Sequence, residues 1–229
     1  MNIRKQTAVV TGGTRGIGRE IVKKLLNEGA YVTVLVKTKR SILALQSELG
    51  HHAFDSYICD VTKPEDIERA FEDIIRKNER IDILVNNAGV GIFKKVEDLT
   101  EEDWDSQLNT NLKGAFLCSQ AGYRQMISQG GGQIVNIASD LAYNTREKAS
   151  AYCASKWGLL GFSQAMNKEG RHHNVRVATV APGLVQTDFA GVSASEKAHG
   201  LSAWSVAQQV LTVIKTSHDA GEIEIIIRP

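Results

Sequence analysis

The sequence predicts an α/β fold: one doubly wound domain over residues 1–229, built on a seven-stranded parallel sheet with helices on both faces. Three observations carry this prediction. Short runs rich in Val, Ile and Thr alternate along the whole chain with longer segments of helical periodicity. Most of those runs are apolar throughout, the pattern of strands buried on both faces. The first run leads into a glycine-rich turn followed directly by a helical pattern.

The elements follow in order. Thr7–Thr11 is the first strand, and a helix is expected over 16–28. Tyr31–Val36 is the second strand, with a helix over 40–49. Ser56–Cys59 is the third. Its helix, 64–78, opens at Thr62-Lys63-Pro64-Glu65, which reads as a capping box with proline at an early helical position. Ile81–Val85 is the fourth strand. A long helix over 101–128 starts from Thr100-Glu101-Glu102-Asp103. Gly130-Gly131-Gly132 ends that helix as a glycine C-cap and turns the chain into the fifth strand, Gln133–Ile137. A helix over 151–170 and a sixth strand, Val175–Val180, follow. Residues 186–202, rich in Ser, Ala and Gly, carry no strong pattern and are expected to form a short mobile flap. A helix over 203–216 and a strand over Glu222–Ile227 complete the sheet. The crossovers are expected to be right-handed.

Composition removes several function classes. Of 229 residues, 42% are hydrophobic and 23% charged, which fits a globular chain rather than a disordered or collagen-like one. The 27 basic and 26 acidic residues leave a net charge of +1, without the electrostatic footprint of a nucleic-acid or anionic-membrane binder. Cys59, Cys118 and Cys153 form no CxxC pair and fit a reducing compartment. The first residues lack an apolar signal core, and no apolar run approaches the ~20 residues of a membrane span. The expectation is a cytoplasmic protein. No metal-ligand cluster stands out: His51-His52 and His172-His173 are adjacent pairs, poor geometry for one ion, and read as surface residues.

The chemistry begins at Thr11-Gly12-Gly13-Thr14-Arg15-Gly16-Ile17-Gly18. A dinucleotide site needs a tight turn, close approach of backbone to pyrophosphate, and N–H groups at a helix N-terminus. Glycine meets the first two needs because it lacks Cβ. A plain glycine-rich turn is the bland alternative, but the strand before and helix after favour a nucleotide in a Rossmann-type fold. A carboxylate is usually found ~20 residues onward on the ribose of NAD. Here that region reads Val36-Lys37-Thr38-Lys39-Arg40, and Arg15 lies inside the turn. Cations there suit the extra negative charge of a 2′-phosphate.

Further along, Tyr152 and Lys156 stand four apart on a helical pattern, hence on one face. Ser139 lies thirteen residues before Tyr152, at the end of a strand, and Asn111 lies on the long helix. Asn86-Asn87-Ala88-Gly89 follows the fourth strand, and Ala181-Pro182-Gly183-Leu184-Val185-Gln186-Thr187-Asp188 follows the sixth. Each has an ordinary structural reading, as a turn, a packing residue or a helix kink. Together, in this order and spacing, they resemble the short-chain dehydrogenase/reductase family, nearest its 3-oxoacyl-[acyl-carrier-protein] reductase-like members. The likeness runs from Thr7 to about Asp188.

The resemblance implies roles. The family's acidic position falls on Val36, so Arg15 and Lys37 imply NADP(H) as cofactor. Gly12, Thr14, Arg15, Gly16, Ile17 and Gly18 would hold the pyrophosphate turn. Asp60 and Val61 would lie near the adenine, and Asn87, Ala88 and Gly89 would line the cofactor. Pro182 and Gly183 would sit beside the nicotinamide, with Val185 and Thr187 holding its carboxamide. Asn111, Ser139, Tyr152 and Lys156 would form the catalytic set. The chemistry is self-consistent: a phenol titrates at ~10, and a nearby Lys⁺ lowers that value. Tyr152 is then expected to act as general acid in carbonyl reduction and as base in alcohol oxidation. Lys156 would lower its pKa and hold the nicotinamide ribose, and Ser139 would polarise the substrate oxygen. Asn111 would hold a water that links Lys156 to solvent.

The substrate pocket is expected to draw on Gly91, Phe93, Leu141, Tyr143, Leu184 and Phe189, which follow the ends of the strands where open α/β sheets bind ligands. Three departures argue against a carrier-protein substrate. The flap is short, the chain ends Glu222-Ile-Glu-Ile-Ile-Ile-Arg-Pro229 without a glycine-bearing tail, and Ser128–Gln133 lacks basic residues, leaving Arg171 and Arg124 in that region. The expected function is therefore NADP(H)-dependent hydride transfer between nicotinamide and a small carbonyl or secondary alcohol. A 3-oxoacyl thioester reductase and a catalytically silent NADPH-sensing binding protein are the alternatives. The family's pairing through the Asn111 and Tyr152 helices implies a homodimer or homotetramer. Phe116, Trp157 and Phe162 fit such an interface or a monomer core equally.

Overall fold

The structure, a computed structural model, describes residues 2–50, 54–217 and 221–229; His51 and His52 lie outside them. Seven parallel strands form one sheet in the order β3-β2-β1-β4-β5-β6-β7. The strands are β1 (Thr7–Thr11), β2 (Tyr31–Val36), β3 (Asp55–Ile58), β4 (Ile83–Asn86), β5 (Gly132–Ile137), β6 (Val175–Pro182) and β7 (Ile223–Ile227). The helices are α1 (Gly16–Asn27), α2 (Lys39–Leu49), α3 (Pro64–Asn78), α4 (Glu101–Leu108), α5 (Gly114–Ser128), α6 (Ser150–Gly170) and α7 (Ala203–Lys215).

Alternate residues of each strand serve opposite faces, as the pleat requires. Val10, Val34, Val85, Val135 and Val180 pack with Ile21, Leu25, Val206 and Val210 of α1 and α7. Val9, Leu35, Leu84, Ile134 and Val177 pack with Phe71, Ile74, Cys118 and Met166 of α3, α5 and α6. In α3 the buried Ile67, Ala70, Phe71 and Ile74 recur at helical spacing, and each large apolar side chain buried there stabilises the fold by about 1.5–3 kcal/mol.

Two sequence expectations are corrected. The Thr62 capping box does not form: Lys63 is the N-cap of α3 and makes no side-chain cap bond. Thr62 instead donates its hydroxyl to Asp60 Oδ1 at 2.8 Å, and the Asp66 carboxylate accepts from the Asp60 N–H at 3.0 Å. The expected helix over 101–128 contains a π-helical turn at Asn109–Lys113, between α4 and α5. The expected start at Thr100 holds, closed by a capping box between Thr100 and Asp103, and Gly130 takes a positive φ of 87° just beyond α5.

The sheet order reverses at β1, whose neighbours β2 and β4 carry the chain away to opposite sides. The crevice at the carboxyl ends of β1 and β4 is where such a sheet receives a ligand. Next to it, a buried polar ladder fixes β4 against β5. Asn86 Nδ2 donates to Asn136 Oδ1 at 2.8 Å and to Ser119 Oγ at 2.7 Å, and Asn136 Nδ2 donates to Ser163 Oγ at 2.8 Å.

Candidate active site

A cleft of about 870 Å³ opens along the carboxyl ends of the strands. At one end the chain leaves β1 through Gly12, whose φ of +64° favours glycine. A Cβ there would stand 3.0 Å from the Ala88 Cα. The turn is braced from β4: Thr11 Oγ1 accepts the N–H groups of Asn87 and Ala88, each at 3.0 Å. Asn87 Nδ2 donates to the carbonyls of Thr11 and Gly12, each at 3.1 Å. The N-cap of α1, Arg15, makes no side-chain cap bond, so the first N–H groups of a twelve-residue helix face the cleft without one. A glycine cradle that a Cβ would fill, in front of a helix N-terminus, fits a pyrophosphate.

Beyond the turn, Val36 is buried where an acidic residue would meet a ribose. Lys37 is exposed, and its Nζ lies 2.8 Å from Asp60 Oδ2. Burial works to raise the Asp60 carboxyl, but hydrogen bonds from Lys37 and Thr62 outweigh it and hold its pKa below the usual value. The two residues thus form one ionic pair at the expected adenosine end. Arg15 is exposed at the same mouth.

The expected catalytic set meets at the other end. Ser139 follows β5, and its hydroxyl accepts from the Leu141 N–H at 3.2 Å. Tyr152 lies on α6, edge-on to Phe93 with ring centroids 5.4 Å apart and to Phe189 with centroids 6.0 Å apart. One turn onward the buried Lys156 donates to the Ile137 carbonyl at 2.8 Å.

Burial pushes the Tyr152 phenol up to about 12, against a lowering hydrogen bond with Ser139. Burial also moves Lys156 down to about 8. The expected lowering of the phenol by Lys156 is therefore corrected. Loss of hydration governs both groups and favours the neutral form of each.

Phe93 is held in place by three braces on its loop. Asn111 Oδ1 accepts the Val90 N–H at 2.8 Å, Gln107 Oε1 accepts the Ile92 N–H at 2.9 Å, and Lys94 pairs with Asp103 at 2.5 Å. Asn111 Nδ2 donates to the Val90 carbonyl at 2.9 Å and to Ser155 Oγ at 3.0 Å. The π-helical turn carries Asn111; such turns are frequent at functional sites.

The expected flap folds back over the glycine turn, with Thr187 against Gly16. Its anchor is the buried Lys197, whose Nζ donates to the carbonyls of Thr187, Phe189 and Val192 at 2.8, 3.0 and 3.2 Å.

Most expected residues line the cleft, Thr14, Ile17, Val61, Gly89, Pro182, Gly183, Val185, Leu141 and Leu184 among them. Four stand back from its walls. Gly18 packs inward, where a Cβ would come 2.4 Å from Asn87 Nδ2. Gly91 packs against the Phe189 ring. Asn111 is buried in its clamp. Tyr143 donates to Glu224 Oε2 of β7 at 2.6 Å, and burial, then that bond, raises its pKa well above the usual range.

Sequence reasoning missed Gln107, Arg146 and Lys197. Gln107 and Arg146 meet Ile92 and Phe93, which lie well before them in the chain, and Lys197 caps carbonyls of its own loop; neither relation carries a periodic or motif signal. Among the described residues no group of three or more His, Cys, Asp or Glu could hold a metal ion, and no helix is long and apolar enough to cross a membrane.

Comparison with known proteins agrees with this geometry. A family model described as short chain dehydrogenase matches residues 6–198. An NAD-dependent glycerol dehydrogenase of Listeria innocua is 38% identical over 82% of this chain and 74% of its own. A 3-oxoacyl-[acyl-carrier-protein] reductase of Homo sapiens is 39% identical over 80% and 77%. The crystal structure of a metagenomic short-chain oxidoreductase in complex with NADP superposes with a TM-score of 0.87, at 31% identity, over 100% of this chain and 99% of that one. The chain belongs to the short-chain dehydrogenase/reductase family, oxidoreductases that interconvert alcohols and carbonyls with a nicotinamide cofactor.

Proposed function

We propose that the chain is an NADP(H)-dependent reductase of small carbonyl compounds, and in reverse a dehydrogenase of secondary alcohols, with Tyr152 as the proton-transferring residue. The observation that carries this reading is the buried Tyr152 phenol beside Ser139 at the end of β5, walled by Phe93 and Phe189. Bound NADP(H) supplies or accepts the hydride. Tyr152, neutral at pH 7 with its pKa near 12, holds the proton that a carbonyl oxygen takes on reduction. Ser139 donates a second hydrogen bond to that oxygen. The two phenylalanines keep water from the reacting atoms.

Lys156 donates to the Ile137 carbonyl at the floor of the site, and its assigned role is to hold a ribose hydroxyl of the bound cofactor. Both polar side-chain atoms of Asn111 are engaged by Val90 and Ser155, so its role here is to position the Phe93 loop, with any water link falling to the main chain of the π-helical turn.

For the cofactor, Arg15 and Lys37 flank the expected 2′-phosphate, and Asp60 orients Lys37. The relative crystallised with NADP supports this choice; the Listeria innocua relative is NAD-dependent by name. A second reading, reduction of 3-oxoacyl thioesters, draws support from the human relative. A homodimer or homotetramer is also proposed, supported by the exposed Phe116 and Trp157 and the edge-on Phe116–Phe162 pair at 5.9 Å; light scattering tests it.

The functional test compares NADPH and NADH consumption with neutral ketones, diketones and an acetoacetyl thioester. Faster turnover with NADPH is expected. Equal or faster turnover with NADH would remove the assignment of Arg15 and Lys37, and NADPH binding without any turnover would favour a sensor.

A further inference from the structure

Arg146 is a cation at the substrate end of the cleft that no acid pairs with among the described residues. It lies in the loop before α6 and lines the same cleft as Tyr152. Its guanidinium carbon sits 4.6 Å from the centroid of the Phe93 ring, and that ring stands 5.4 Å from Tyr152. Arginine, phenylalanine and phenol thus stand in series, the two rings edge-on, and the guanidinium is no farther from the phenol ring than those two distances end to end.

No hydrogen bond or ion pair joins the Arg146 side chain to another described residue. The acids along the cleft are otherwise engaged: Asp140 with Ser139 and Arg228, Asp188 with the Ala194 N–H, and Glu196 with Ser193. Lys197, a second cation there, is caged by three carbonyls. A guanidinium seated over an aromatic ring at this distance, with no hydrogen-bond acceptor among the described residues, has N–H donors left for a ligand, and their fork matches the planar oxygens of a carboxylate or the oxygens of a phosphate.

We propose that Arg146 is a specificity-determining residue that binds an oxyanion, carboxylate or phosphate, carried by the substrate a few bonds from its reacting carbonyl. This rests on the reading of Tyr152 as proton donor to that carbonyl. The preferred substrates are then short oxo acids or oxo phosphates rather than neutral ketones, and Phe93 packs against the carbon chain between the two ends.

The test uses the intact chain with NADPH, first by binding. Butanoate, propyl phosphate and butanamide are titrated calorimetrically into wild type, Arg146→Leu and Arg146→Lys. At least one anion is expected to bind about tenfold or more tighter than the amide, the range of one charge-assisted hydrogen bond. Arg146→Leu should erase that preference and Arg146→Lys restore part of it. The tighter anion identifies the source. Equal binding of anions and amide to wild type, or a preference that survives Arg146→Leu, overturns the proposal.

Turnover separates the two readings. The ratio of kcat/KM for 4-oxopentanoate over its methyl ester should fall with Arg146→Leu. If wild type binds the anions through Arg146 but reduces no carbonyl, the reading of Tyr152 fails and the anion site stands.

Discussion

The Lys156 ammonium stands 5.8 Å from the centre of the Tyr152 ring and gives its hydrogen bond to the Ile137 carbonyl at the end of β5. The cation is thus tied to the sheet, and burial governs both partners. Lys156 falls to about 8 and Tyr152 rises to about 12.

These two shifts make stability depend on alkaline pH in opposite senses. Below pH 8 both folded and unfolded chains hold the Lys156 proton, and the fold bears the full cost of a buried charge. From 8 to 10.5 the unfolded chain holds more protons, so stability rises with pH. Tyr152 keeps its proton in the fold from 10 to 12 while the unfolded chain loses it, so its contribution is present below 10 and lost above. Lys156→Met is expected to be more stable than wild type at pH 7, by on the order of 2–3 kcal/mol, with the gap closing by pH 10. Urea unfolding at pH 7, 8.5 and 10 measures it; a gap that does not narrow contradicts the assignment.

Gly18 is the tightest point of the phosphate turn. A Cβ there would come 2.4 Å from both Asn87 Nδ2 and the Gly12 carbonyl, so the brace between the β1 and β4 turns must move. Gly18→Ala is expected to cost about 1–3 kcal/mol and to weaken NADPH binding at least tenfold. Unchanged binding would show that the brace does not shape the cradle.

At the adenosine end, Lys37 pairs with Asp60 and points its charge at the mouth of the cleft. Lys37→Ala should raise the KM for NADPH by about 10–100-fold, the range of one charge-assisted hydrogen bond, and leave the KM for NADH within about threefold. A parallel loss with both cofactors would mean that Lys37 only shapes the loop.

The flap depends on Lys197 beneath it. Lys197→Met leaves the carbonyls of Thr187, Phe189 and Val192 without their shared donor, at a local cost of about 1–3 kcal/mol. Amide exchange over residues 187–197 should speed up while the β-strands keep their protection. Unchanged exchange would place the anchor elsewhere.

Much of this architecture is legible in the chain because it rests on local rules. Apolar runs name the strands, and Thr100 with Asp103 opens α4 by its own side-chain bonds. The glycine turn announces itself because Gly12 adopts a conformation that other residues resist. Much of what escapes is set by distant partners. The π-helical turn brings Asn111 against Val90 and Ser155, and no periodicity encodes that. Thr62 loses its cap to a local competitor, because Asp60, two residues before it, takes its hydroxyl. Tyr143 faces Glu224 across 81 residues of sequence. The Tyr152–Lys156 spacing is right, but their pKa values follow burial, which spacing does not carry.

The proton-transferring role of Tyr152 is tested by single-turnover NADPH oxidation by Tyr152→Phe with a ketone that wild type reduces. Phenylalanine keeps the ring between Phe93 and Phe189 and removes only the proton donor. NADPH binding is expected to stay close to wild type and the rate to fall by about 10²–10⁴-fold, the usual worth of a positioned acid. A Tyr152→Phe rate within about threefold of wild type would contradict it.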